Sequence, residues 1–175
     1  MEQLYCPWRE TYSSSVSGTK RENVSADECA FCTKCKQSDD TKNFIVKRFP
    51  HCAVLLNLYP YNAGHLLVIP YRHAACLSEL SEDERNELMA VLTLTIDIAK
   101  QTLEAQGINI GLNLGRAAGA GIPSHLHFHV LPRWVGDTNF MPLLAQTKTV
   151  SFDLHNMHEK LHKAFAKFDL PSKQR

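Results

Sequence analysis

No run of apolar residues in this 175-residue chain approaches the ~20 that a membrane-spanning helix needs. Charge of one sign is missing too. Lys and Arg number 19 against 18 Asp and Glu, a formal net charge of +1. There is no basic excess to track the backbone of a nucleic-acid polymer. The start, Met1-Glu2-Gln3-Leu4-Tyr5-Cys6-Pro7-Trp8, lacks the basic stretch and apolar run of a secretory leader. No internal repeat is found. These absences point to a cytoplasmic protein, and the length suits one domain over residues 1–175.

The 6 cysteines are then unexpected, because disulfides are rare in a reducing compartment. Cys29, Cys32 and Cys35 stand at Cys-x-x-Cys-x-x-Cys spacing. Such a cluster means metal or redox chemistry more often than structural bridges. No βαβ unit follows it, which weakens the redox reading. Cys29 and Cys32 with two distant histidines would make a tetrahedral zinc site, with His73 and His125 as candidates. The spacing leaves Cys35 as an alternative ligand. Cys6, Cys52 and Cys76 are isolated and read as small buried apolar residues.

Taken in order, Tyr5, Trp8 and Tyr12 suggest a docked amino-terminal segment. Residues 13–28 begin with a serine-rich polar stretch and read as a mobile loop. Residues 38–43 read as a turn. Residues 44–49, 52–58 and 65–69 are short apolar runs set off by Pro50, Pro60, Gly64 and Pro70, the pattern of an antiparallel meander. Gly64 supplies a turn position with φ > 0. Ser81 and Glu84 fit a capping box that opens a helix of about 25 residues, with Gly107 as its C′ residue. A strand over 108–114 follows, then the small-residue loop Gly115 to Gly121. Leu154, Met157, Leu161, Phe165 and Phe168 share one face of a second amphipathic helix, with Lys163, Lys167 and Lys173 near its end. The pattern is α+β: a mainly antiparallel sheet of about five strands, one long inserted helix and a carboxy-terminal helix.

The centre of interest is Ser124-His125-Leu126-His127-Phe128-His129-Val130-Leu131-Pro132. In a strand, side chains alternate between faces. His125, His127 and His129 would share one face and Leu126, Phe128 and Val130 the other. Pro123 and Pro132 would bound the strand. A neutral imidazole whose second nitrogen is held can act as a nucleophile, while a neighbouring one donates to a phosphoryl oxygen. Glycines just before the run let backbone N–H groups approach phosphate oxygens. Row and loop together suggest chemistry on a phosphate ester or anhydride. The row alone would also suit a metal.

The His-φ-His-φ-His-φ-φ run resembles the signature of the histidine triad (HIT) superfamily. The resemblance covers roughly residues 29 to 140 and extends to Asn57 and to Gly64-His65-Leu66-Leu67-Val68-Ile69-Pro70. The flanks Leu4–Arg9 and Pro132–Met141 look like the bacterial branch associated with diadenosine tetraphosphate phosphorylase activity. The resemblance implies a HIT-like fold and assigns roles. His127 would attack an α-phosphate to form a nucleotidyl-histidine, and His129 would contact the phosphate. Asn57, His65 and Asn113 would lie near nucleoside or phosphate, beside Gly119 and Gly121 of the glycine loop, whose backbone is read above as the phosphate contact. Cys29, Cys32, His73 and His125 would hold a structural Zn2+, which favours the histidines over Cys35. It also implies a nucleotide or dinucleotide substrate, with room for Mg2+ alongside it, phosphate or water as acceptor, and a homodimer or higher homo-oligomer. Many members carry Gly-Gln-Ser or Gly-Gln-Thr shortly before the triad. Here Ala120-Gly121-Ile122 stands there, with Ser124 nearby but offset.

The leading expectation is therefore a nucleotidyl transferase or hydrolase that cleaves dinucleoside polyphosphates. Two rivals are a hydrolase of nucleoside phosphoramidates or mononucleotide conjugates, and a non-catalytic nucleotide-binding zinc protein.

Overall fold

The computed structural model describes residues 24–145 and 152–168. The aromatic amino-terminal segment, Cys6, residues 13–23 of the expected loop and Lys173 lie outside the described residues. Residues 24–28, expected as loop, form a turn closed by Glu28 N–H on Ser25 O at 3.1 Å.

The cysteine cluster begins the first helix of the described residues, α1 (Ala30–Lys36), and the expected turn at 38–43 contains one helical turn, α2 (Asp40–Asn43). Strands β1 (Ile45–Arg48), β2 (Cys52–Leu56) and β3 (Leu66–Pro70) then form the meander. The long helix α3 spans Glu82–Leu103. Strand β4 (Gly107–Leu112) and strand β5 (Phe128–Arg133) complete the sheet, and two helices follow, α4 (Met141–Ala145) and α5 (Leu154–Phe165). The order across the sheet is β1-β2-β3-β5-β4, and every pairing is antiparallel.

Alternation along β2 and β3 builds two cores. Val54, Leu56, Leu66 and Val68 pack with Leu88, Val91 and Ile98 of α3 and with Leu161 and Phe165 of α5. Ala53, Leu55, Leu67 and Ile69 point to the other face and pack with Cys29, Phe31 and Cys32. With both faces covered, these strands read as continuous apolar runs. His129 pairs with Leu67 across the ladder and so shares the cysteine face.

Three boundary expectations change. The histidine run does not lie wholly in a strand. Ladder pairing with β3 starts at Phe128, and Leu126 N–H instead bonds Ala74 O at 2.7 Å. The chain after β3 has turned away there, so His125 and His127 sit on the approach to β5. Pro132 does not end the strand either; it pairs with Ile108. Its carbonyl accepts from Asn62 Nδ2 at 3.0 Å, on the side where β3 no longer runs, so the missing N–H breaks no ladder bond. Gly107 is not the C′ residue of the long helix. Glu104 takes the left-handed conformation with φ 52°, and Trp134 Nε1–H serves the carbonyls of Leu103 and Glu104 at 3.3 and 3.0 Å. Those bonds close the helix three residues early, and Gly107 opens β4 instead. The capping box is present as expected, with Ser81 N–H on Glu84 Oε2 at 2.7 Å and Glu84 N–H on Ser81 Oγ at 3.3 Å.

Candidate active site and metal centre

The metal-type cluster assembles from three segments. Cys29 caps α1 and Cys32 lies one turn along it, His73 follows β3, and His125 precedes β5. One donor atom from each of the four lies within 4.8 Å of all the others. His125 Nδ1 is 3.3 Å from Cys29 Sγ and 3.4 Å from Cys32 Sγ, and His73 Nδ1 is 3.3 Å from Cys32 Sγ. A tetrahedral ion at ordinary Zn–S and Zn–N lengths would set such donors about 3.6 Å apart.

The second nitrogens fix both rings. His125 Nε2–H donates to Pro70 O at 2.9 Å, and His73 Nε2–H donates to Val24 O at 3.0 Å. Each Nδ1 therefore keeps its lone pair toward the thiols, as outer-shell partners of metal-bound histidine do. Cys35 is not part of this cluster. Burial pushes its thiol up to about 11. Arg48 holds the end of α1 in place by donating to Cys35 O at 2.7 Å and Gln37 O at 2.6 Å. Of the isolated cysteines, Cys52 is buried as expected. Cys76 is not; it is half-exposed on a short 3-10 turn, where Ser78 donates to its sulfur at 3.3 Å.

His127 is only 5% exposed. Its Nδ1–H donates to His125 O at 2.8 Å, so Nε2 carries the lone pair. Burial lowers its pKa and favours the neutral ring; the bond to the His125 carbonyl opposes that in part. Phe31 packs on it with ring centroids 5.1 Å apart.

His129 and His65 form a pair, with His65 Nε2 at 2.9 Å from His129 Nδ1. Direction follows from the other side of His65. Tyr61 N–H donates to His65 Nδ1 at 3.2 Å, and the Asn57 amide approaches the same atom at 3.2 Å. An Nδ1 that accepts leaves the proton on Nε2. His65 is thus the donor and His129 Nδ1 the acceptor, so the ring proton of a neutral His129 sits on Nε2. Burial first, then the neighbouring His129 and His127, push His65 down to about 3.

A cavity of about 270 Å³ opens between α1, the end of β2 and the loop before His125. Cys29, Phe31, Leu55, Asn57, Gly121 and Ser124 are among its walls. Of the residues expected near nucleoside or phosphate, Asn57 and Gly121 line this cavity, and His65 is fully buried behind His129. Gly119 is exposed at φ 88°, ending the 3-10 turn Arg116–Ala118, and Asn113 is half-buried just past β4. Ser124 Oγ is buried and has no hydrogen-bond partner among the described residues. Phe31 and Tyr61 are site residues that the sequence reading passed over. Phe31 sat unnoticed between the cysteines, and Tyr61 acts through its backbone, which side-chain chemistry does not signal.

Residues 38–135 match the family model described as HIT domain. The chain is 38% identical over 150 residues to a protein of Mycobacterium tuberculosis named AP-4-A phosphorylase, covering 86% of this chain and 77% of that one. It is 27% identical over 146 residues to an adenosine 5'-monophosphoramidase of Candida albicans, covering 81% and 93% respectively. Among solved structures it resembles a Zn-bound histidine triad family protein from Mycobacterium smegmatis, with TM-score 0.63 and 25% identity over 82% of this chain and 96% of that one. A family match across more than half of the chain, on a sheet shared with solved relatives, makes this protein a member of the HIT family, alongside relatives named as enzymes.

Proposed function

We propose that this chain is a nucleotidyl transferase or hydrolase that cleaves dinucleoside polyphosphates through His127. The observation that carries the reading is the hydrogen bond from His127 Nδ1–H to the His125 carbonyl at 2.8 Å. It leaves Nε2 unprotonated in a buried ring, which is the state a nucleophile needs. Nε2 bonds to the α-phosphorus as the P–O bond to the leaving polyphosphate breaks and that oxygen takes the electron pair. His129 donates to the phosphate from Nε2–H. From diadenosine tetraphosphate this yields an adenylyl-histidine and ATP. A phosphate oxygen then takes the adenylyl group to give ADP, or water takes it to give AMP, and His127 is restored. The cavity beside Asn57 and Gly121 takes the nucleoside. The name of the Mycobacterium tuberculosis relative supports phosphate as acceptor.

The metal held by Cys29, Cys32, His73 and His125 is Zn2+ in this reading, since two thiolates and two imidazoles are its common tetrahedral set. Its role is structural, joining three segments behind the site. A Mg2+ ion arriving with substrate finds no second cluster of three or more such donors among the described residues. The free thiols suit a cytoplasmic setting. Among the described residues no helix is long and apolar enough to cross a membrane. Residues 1–175 act as one HIT domain. The outer edge of β4, with Ile110 exposed, is where a second copy would pair to give the homodimer.

The test is product analysis with diadenosine tetraphosphate in phosphate and in phosphate-free buffer. ATP plus ADP identifies phosphorolysis, and ATP plus AMP identifies hydrolysis. His127→Gly should lose turnover by at least about a thousandfold. Full turnover in that variant would remove the nucleophile assignment. The named phosphoramidase relative gives a second reading, favoured if adenosine 5'-phosphoramidate is cleaved faster than the tetraphosphate.

A further inference from the structure

Two turns meet behind the His65–His129 pair, and in each the residues that join them, Asn62 and Asp137, are not among those expected near the substrate. One joins β2 to β3 and contains Tyr61 and Asn62; the other follows β5 and contains Asp137. Asn62 is buried, and its carboxamide nitrogen makes two bonds. It donates to Pro132 O at 3.0 Å and to Asp137 Oδ2 at 2.8 Å. The Asp137 side chain is 7% exposed. Its carboxylate also accepts from Arg133 Nε at 2.5 Å, Arg133 Nη2 at 2.9 Å and Trp134 N–H at 3.3 Å. Arg133 in turn donates to Asn109 Oδ1 at 2.8 Å. A buried carboxylate with this many donors is held in one orientation.

The turn so clamped presents Tyr61 to both histidines. Its N–H meets His65 Nδ1 at 3.2 Å, and its ring stacks on His129 with centroids 5.7 Å apart and planes 21° apart. The Tyr61 ring also lies 4.7 Å from that of His65. The position of this peptide unit, together with the Asn57 amide at the same atom, therefore sets which nitrogen of His65 carries its proton, and through it which nitrogen of His129 does.

We infer that Asn62 and Asp137 are positioning residues: their clasp aims the Tyr61 N–H at His65 and so holds the proton of His129 on Nε2, where it can be donated to a phosphate. Neither side chain touches substrate. The inference rests on the nucleotidyl-transfer reading for its functional consequence, but not for its structural one. Without the clasp, only the Asn57 amide would oppose a proton on His65 Nδ1, and a share of the molecules would turn the His65 lone pair toward His129. His129 would then hold its proton on Nδ1 and offer a lone pair to an anion.

The test has two readouts on the full-length, metal-loaded protein. The first is the tautomeric state of His65 and His129, read from imidazole ¹⁵N shifts without substrate. The second is steady-state kinetics on diadenosine tetraphosphate. The variants are Asn62→Leu, which removes both bonds, and Asn62→Ser, a smaller change that disturbs packing less. Asn109→Ala is the control, because it takes a bond from Arg133 without touching Asn62. Wild type should show His65 protonated on Nε2 alone. Either Asn62 variant should show a mixture of tautomers and a fall in kcat of about tenfold or more, with KM within about twofold. Asn109→Ala should match wild type in both. Wild-type tautomers or unchanged kcat in the folded Asn62 variants would overturn the inference. So would a wild-type His65 protonated on Nδ1, a measurement that needs no variant to fold. If wild type turns over no dinucleotide while its tautomers respond to Asn62, the nucleotidyl-transfer reading fails and the clasp stands.

Discussion

His125, His127 and His129 are one side chain repeated at one spacing, yet each has a different atom against its second nitrogen. Pro70 O takes the Nε2 proton of His125 and turns its Nδ1 to the thiols. The His125 carbonyl takes the Nδ1 proton of His127 and leaves Nε2 bare. His65 supplies a proton to His129 Nδ1. Backbone carbonyls and one buried imidazole thus put three equal residues into three different hydrogen-bonding states. His65 carries a measurable consequence. Its pKa is pushed to about 3 by burial, against about 6.5 in an unfolded chain. Between those values the unfolded chain binds a proton that the folded chain refuses, so stability is whole above pH 6.5 and falls as pH drops. The loss attributable to His65 should reach about 2 kcal/mol at pH 5. Urea melts at pH 7 and pH 5 check it, with His65→Gln expected to show a smaller difference between the two; an equal difference would refute the assignment.

At the scale of elements, the pieces that place the site are a turn and a capped helix. Gly64 has φ 67°, and a Cβ there would run into Leu103 Cδ1 at the end of α3. Gly64→Ala combines backbone strain with that collision, and should cost about 2 kcal/mol in chemical denaturation. It should also lower kcat, because the same turn carries Tyr61. The start of α3 tests a local effect remote from the histidines. Ser81→Ala leaves Glu84 N–H without its cap and should cost about 1 kcal/mol while activity is retained. This capping box, the three meander strands and α5 were all legible from local pattern, because caps, turns and alternation are written in neighbouring residues. The end of α3 was not. Trp134, distant in sequence, closes it by binding the carbonyls of Leu103 and Glu104, and no local rule signals such a partner.

Across the whole molecule, the Cys2His2 cluster and the candidate site share one face of the sheet. The four donors come from α1, the segment after β3 and the approach to β5, while α3 and α5 pack on the opposite face. Removing the metal should therefore loosen one side only. Hydrogen exchange after chelation is expected to speed up in residues 29–36, 71–75 and 122–127, with α3 and α5 unchanged. Uniform protection loss would show instead that the metal supports the entire fold. Elemental analysis of protein never exposed to chelator should find about one zinc per chain, and Cys32→Ser should lower that content sharply. Because Cys29 and Phe31 line the cavity as well as this core, the metal-free protein should also bind nucleotide more weakly. Titration calorimetry against AMP measures it.

The sequence by itself determined that this chain would form an antiparallel sheet with one long helix, and it marked three histidines at period two beside a glycine loop as the candidate site. The sheet and the helix are matters of alternation and capping, and they survive because they depend on near neighbours. Only the tertiary structure decided where pairing begins, at Phe128 and not at His125, and which nitrogen of each ring is protonated. Tautomers are set by whatever lies against the far side of the ring. For His125 and His65 those partners, Pro70 O and Tyr61 N–H, arrive from other strands and turns. The clasp between Asn62 and Asp137 joins residues that no sequence period connects, because it exists only once β5 has outrun β3 and brought two turns together.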